Sequence, residues 1–275
     1  MQYDTLSTDT ARRVWDMAAH LWALRLPSVH ALADRNNCLV SSGVDSSPCA
    51  LLKQPKGRAG LPVTPVAGIY LAQAHRALSV YEKPPRREAA WQEASVFEAI
   101  ATHERAAMAV RARSVRLTEM LGSLRGWIYT HVSCLRDGLA SVFGPAAEQA
   151  LHGAFVPSRL YWGTTASGIG SPDPCTGHPA WELARLAFSP TAVAGNTDWL
   201  RQGGGILSAY QRMHPTGLDL TALAATLRIA VLDLLCRPWP AVEAAWTLNF
   251  TALRTLLTAL PRAESALRLT LTRLG

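Results

Sequence analysis

Between Arg86 and Phe143 the large apolar side chains recur at every seventh position, and that repeat constrains the chain more than any other feature of its sequence. Leu121, Ile128, Leu135 and Val142 make the series, with Val132 and Leu139 beside it. At about 100° per residue these six positions, together with Leu117 and Leu124, fall on one stripe of a helix. The spacing predicts a long helical run, with Gly122 or Gly126 marking a kink or a break between two helices and Gly144-Pro145 ending it.

Helical patterning extends along most of the chain. A first helix is predicted from Thr8 or Asp9, where a side chain can accept a free backbone N–H, to just before Pro27. Others are predicted near 66–82, 146–152, 179–188, 205–213, 217–236, 239–259 and 262–274, punctuated by proline and glycine. No alternation of period two persists anywhere. Two stretches lack periodicity: 34–66, broken by Pro48, Pro55, Gly57, Gly60, Pro62 and Pro65, and 154–178. The expected fold class is therefore all-α, a two-lobed helical protein with long irregular loops at about 34–66 and 154–178. The lobes are placed at 1–153, with the first loop as an extended arm, and at 154–275.

Hydrophobic residues make up 49% of the chain and charged residues 17%, the balance of a chain that folds rather than one that stays disordered. Lysine and arginine number 27 against 20 acids, a formal charge of +7, and all but Lys53, Lys56 and Lys83 are arginine. GC-rich codons enrich arginine and alanine together but do not account for the net charge. The guanidinium fork pairs with phosphate and stacks on bases. Five cysteines in odd number, with no CxxC, suit reduced thiols better than a zinc or disulfide framework. The N-terminus lacks the basic flank and apolar core of a secretory signal. The most apolar stretch, from Leu220, is interrupted by Arg228 and Asp233, so no membrane partner is expected.

On the predicted helix Arg105, Arg113 and Arg116 lie within about 80° of one another, opposite the apolar stripe, with Arg111 close by. A second basic zone contains Lys53, Lys56, Arg58, Arg86 and Arg87. Such patches attract phosphate backbones and release counterions on binding. Arg159 stands beside Tyr161 and Trp162 in the second loop, an arrangement suited to stacking unpaired bases. Arg201 precedes Gly203-Gly204-Gly205, an apparent helix start whose backbone N–H groups suit an anion. Without a following Lys-Ser/Thr it is no nucleotide-binding P-loop. Catalytic signatures are missing: there is no HExxH and no GxSxG, and GIGSPD at 168–173 follows no predicted strand. Glu148 and His152, four apart on a predicted helix, are too small a set for a metal site. The sequence thus predicts no enzyme, no cofactor and no metal.

In length, basic charge and richness in proline, alanine and serine, the chain resembles the Pro-Ala-Ser-rich coat-like proteins of polymycoviruses. LGSLRGW, Leu121 to Trp127, is similar to a core-helix segment of phlebovirus- and tenuivirus-type nucleocapsid proteins. These resemblances imply a non-specific RNA-binding coat or nucleocapsid protein, located in the virion or host cytoplasm. Many copies would cover viral genomic RNA through its phosphates, with flexible arms joining neighbouring subunits. The alternative is a helical scaffold that binds other proteins and no nucleic acid, supported by the heptad stripe and by nine tryptophans.

Overall fold

Ser7 accepts a hydrogen bond from the backbone N–H of Thr10 and opens α1 (Thr8–Ala23), where the capping signal places it. The computed structural model describes residues 7–273 apart from 27, 33–37, 39, 43–47, 61–63, 88, 110–114, 141, 143–147, 163–165 and 215–216. After α1 the chain forms β1 (His30–Leu32), β2 (Val40–Ser42) and β3 (Pro48–Lys53), an antiparallel sheet in the order β1-β3-β2. β4 (Arg58–Ala59) then pairs with β6 (Leu160–Trp162), which pairs in turn with β7 (Ala166–Ile169). β5 (Gln149–Leu151) pairs with β8 (Cys175–Gly177).

These strands correct the all-α expectation. They occupy both stretches read as irregular loops, and β5 stands where a helix at 146–152 was expected. None exceeds six residues. Over two to six residues an alternating pattern has too few repeats to register, and backbone pairing across long sequence distances supplies what local pattern does not.

The remaining helices are α2 (Pro65–Leu78), α3 (Ala90–Glu93), α4 (Val96–Ala109), α5 (Val115–Asp137), α6 (Pro179–Ala187), α7 (Pro190–Val193), α8 (Trp199–Met213), α9 (Leu220–Cys236) and α10 (Glu243–Thr272). Most of the heptad stripe lies on α5, which ends at Asp137, so Leu139 and Val142 fall in the turn beyond it. Leu117, Leu124, Ile128, Val132 and Leu135 are buried there, and Leu121 packs at the margin of the core. α9 is buried almost all round, as a helix without a polar face must be. It forms the centre of a cluster that draws side chains from Ala67 to Leu271. α10 runs unbroken through Pro261, where two helices were expected.

Gly203-Gly204-Gly205 lies inside α8 and not at its start, which removes the basis for reading it as an anion site. Its role is close packing: a Cβ on Gly203 would stand 2.4 Å from Cε1 of the Phe188 ring. On the facing helix α2, a Cβ on Gly68 would stand 2.3 Å from the carbonyl oxygen of Ile206. Gly122 and Gly126 have nothing within 4 Å and sit mid-helix without breaking α5. Gly68→Ala should therefore destabilise the fold by roughly 3 kcal/mol through forced separation of α2 and α8. Gly122→Ala should stabilise it by about 0.5–1 kcal/mol through lost backbone freedom of the unfolded chain. Urea unfolding of the two variants tests the contrast; equal effects would refute the packing account.

Candidate functional site

Three helices converge on one buried carboxylate. Glu182 on α6 is 1% exposed. Its Oε2 accepts from His75 Nε2 of α2 at 3.1 Å and from the backbone N–H of His152 at 3.2 Å, and its Oε1 accepts from the N–H of Phe155 at 3.4 Å. The Tyr210 hydroxyl of α8 lies 2.8 Å from His75 Nδ1. Nε2 donates to the carboxylate, and Nδ1 and the hydroxyl share the second hydrogen bond. Burial alone would raise the Glu182 pKa, but the hydrogen bond and charge of His75, with His152 and Arg185, outweigh it and hold the carboxyl below its ordinary range.

This network pins the turn that follows β5. Gly153 there has φ +74°, and a Cβ on it would stand 1.7 Å from the carbonyl oxygen of Asp173, so only glycine fits. Ala154 and Phe155 are buried beneath it. A 3-10 turn at Pro157–Arg159 leads into β6. His152 Nε2 donates to the carbonyl of Gly170 at 3.2 Å, joining the turn to the end of β7. Burial, above all, holds the His152 ring below its ordinary pKa. Arg159 reaches across the same gap and donates to the carbonyl of Ser171 at 3.1 Å. The short sheet β1-β3-β2 attaches nearby, since Ser28 bridges to Ile169 and β4 pairs with β6. Lys53, exposed at the end of β3, is five residues from Arg58 and so within about 17 Å of it.

The fold has counterparts among solved structures. The aminopropanol kinase associated with a microcompartment superposes with a TM-score of 0.60 at 12% identity, over 97% of this chain and 86% of that one. The aminoglycoside phosphotransferase of Alicyclobacillus acidocaldarius gives 0.56 at 12% identity, over 98% and 84%. The choline kinase of Cryptosporidium parvum gives 0.53 at 11% identity, over 96% and 79%. The chain has the fold of small-molecule kinases. No protein-family model and no characterised sequence matches it. A kinase fold overturns the coat-protein reading, its virion setting, its RNA partner and filament assembly, and the expectation that no enzyme fold is present. The protein-interaction scaffold has no support from it either.

In protein kinases the catalytic loop has the pattern H-x-D-x-x-x-x-N, whose Asp is the base and whose Asn, with a second Asp, binds Mg²⁺. Counted from His152, the acidic position of that pattern falls on Ala154 and the amide position on Arg159, so of the three only the histidine is present. Across the gap, the end of β7 offers Gly170, where even a Cβ would be 3.0 Å from the carbonyl oxygen of Arg159. Among the described residues no group of three or more His, Cys, Asp or Glu is placed to hold a metal. Among the described residues, this loop does not supply the carboxylate and amide that would hold a magnesium–nucleotide complex.

The basic residues singled out in the sequence separate. Arg86 pairs with Glu148 at 3.0 Å, Arg87 with Asp173 at 2.6 Å and Arg201 with Asp198 at 2.5 Å, so their charges are compensated. Arg105 lies on α4 and Arg116 on α5, not on one helix, and Arg105 donates to Thr102. Arg111 and Arg113 lie outside the described residues. Tyr161 is in strand β6, not in a loop. Glu148 and His152 flank β5, so the shared helix face expected of them does not exist. Lys53, Lys56, Arg58 and Arg159 are exposed around the β4–β6–β7 sheet and its approach. Glu182, His75 and Gly153 escaped sequence reasoning. The visible signal was His-Gly at 152–153 followed by His-Pro-x-x-Glu at 178–182.

Burial, first of all, holds His103 and His178 down to about pKa 4. Their unfolded value is about 6.5. The folded chain thus binds fewer protons than the unfolded one between those values. Their contribution to stability is complete above about pH 6.5 and is lost as pH falls towards 4. Glu182, also depressed, acts in the same direction at lower pH. The urea midpoint should fall steadily from pH 7 to 4.5. His103→Phe, which keeps the edge contacts with Trp239 and Trp246, should flatten that slope. A midpoint independent of pH would contradict the assignment.

Proposed function

We propose that this chain binds a phosphate-bearing small molecule, a nucleoside phosphate in the first instance, on the small-molecule-kinase fold. It holds the phosphates with cationic side chains rather than through a divalent ion. The observation that carries this reading is Arg159, standing at the metal-binding amide position of a loop whose backbone geometry is fixed by Glu182. A guanidinium supplies planar, bidentate recognition of phosphate oxygens with permanent positive charge. Lys53 supports it. The run Ala50-Leu51-Leu52-Lys53 on β3 has the pattern of the kinase strand that carries the phosphate-binding lysine. A solved neighbour, an amicoumacin kinase described with AMP-PNP, Ca²⁺ and its antibiotic, aligns at a TM-score of 0.57 and 14% identity over 96% of this chain and 78% of that one. Phosphoryl transfer to a small molecule is the reaction class of such neighbours by their names. In this chain Ala154 provides no proton acceptor at the loop's third position, and the residues 33–39 between β1 and β2 contain no glycine to cradle phosphates.

Calorimetric titration of ATP into the protein, once with Mg²⁺ and once with EDTA, tests the reading. Binding should be equal in the two buffers, weaken with added salt, and fall by about tenfold in Arg159→Ala and in Lys53→Ala. Binding that requires Mg²⁺, or no binding of ATP, ADP or AMP in either buffer, would overturn it.

A further inference from the structure

α4 carries a second heptad stripe, and this one points outward. Phe97, Ala101, Glu104 and Met108 follow the alternating spacing that marks the d and a positions of a coiled coil. At a step of about 100° per residue they lie within about 60° of one another. Both ends of the stripe are open, with Phe97 74% and Met108 73% exposed. The opposite side of α4 packs inward through the buried Ala99, His103 and Ala107. On α5, the exposed Tyr129 meets Phe97 edge-on at 6.4 Å, and Arg125 pairs with Glu104. An exposed apolar stripe rimmed by charge is the usual mark of a protein contact.

The arrangement identifies what covers it, because it is complementary to itself. A two-fold axis passing between Thr102 and His103 sets a second α4 antiparallel to the first. Phe97 then meets the partner's Met108, and Ala101 meets the partner's Glu104. The small side chain of Ala101 leaves room for a carboxylate already paired within its own chain. Such an axis also brings like flanks together. Glu98 and Arg105, both exposed and one heptad apart on the same flank, therefore face their own copy with unlike charges in register. Glu98 accepts from the backbone N–H of Ser95 through Oε2, which leaves Oε1 for a guanidinium. Arg105 donates to Thr102 Oγ1 at 3.3 Å and has no carboxylate partner among the described residues.

We propose that α4 is the contact surface for a second copy of this chain, in a closed antiparallel pair. The same patch serves both subunits, so the contact is used up at two and does not propagate into a filament. One face of a 14-residue helix is a small interface, so association is weak and depends on concentration.

Sedimentation equilibrium of the full chain tests the pair. The parent should pass from monomer to dimer, and no further, as concentration rises. Phe97→Glu puts a charge into the seam, and Arg105→Glu sets carboxylate against carboxylate on the flank. Each should weaken dimerisation at least about tenfold. Glu98→Arg, which leaves the Ser95 hydroxyl on the backbone N–H of residue 98, should do the same. An equimolar mixture of Arg105→Glu and Glu98→Arg opposes unlike charges again and should pair as the parent does. The substituted positions are exposed, so circular dichroism should show the parent's helicity in every variant. A parent still monomeric at about 1 mM, growth past the dimer, a dimer unaffected by Phe97→Glu, or a mixture that associates no better than its components would each overturn the proposal. None of these outcomes depends on whether ATP binds.

Discussion

The carboxylate of Glu182 is the group on which the rest of the site depends. It lies in the interior, where an ionised carboxyl is costly unless every lone pair is used. Here three donors meet it. A histidine from α2 and two backbone N–H groups from the turn after β5 all donate to it. One side chain thereby ties α2 and α6 to a loop that has little regular structure of its own. Tyr210 carries the connection to α8 through His75. Removing the carboxylate would leave two buried N–H groups and a histidine without an acceptor, so the network stands or falls as a unit.

What that network holds in place is the turn after β5 that begins at His152 and leads into β6. Gly153 remains because the carbonyl of Asp173 fills the space a side chain would need. Its presence therefore reports backbone geometry and not chemistry. Across the same gap Arg159 donates to the carbonyl of Ser171 and presents the fixed positive charge on which the proposed phosphate site rests.

The sequence displayed its helices well and its site poorly, for physical reasons. α1 announces itself through its capping signal at Thr8 or Asp9, one or two residues from the cap Ser7, and α5 through a stripe of leucines that only a helix can bury on one face. α9 is apolar on every side, and burial is the one place for it. The strands of two to six residues carry no such signature, because their partners lie up to about a hundred residues away. The arginine excess misled for a related reason. Charge is visible in a sequence, but its compensation is not: Arg86, Arg87 and Arg201 meet their carboxylates only after folding, the first two from sequence distances beyond sixty residues. Glu182 gave no warning, being one acid among many until the fold sets it under the loop.

Backbone hydrogen exchange, followed by mass spectrometry in the parent and in Glu182→Gln, tests the central claim most directly, because it reads the amides that the carboxylate holds. The parent should protect His152 and Phe155 as strongly as its core helices. Glu182→Gln should lose protection selectively across 149–156 and 175–177 while α9 and α10 exchange as before. Unchanged protection of that loop in the variant would contradict the account.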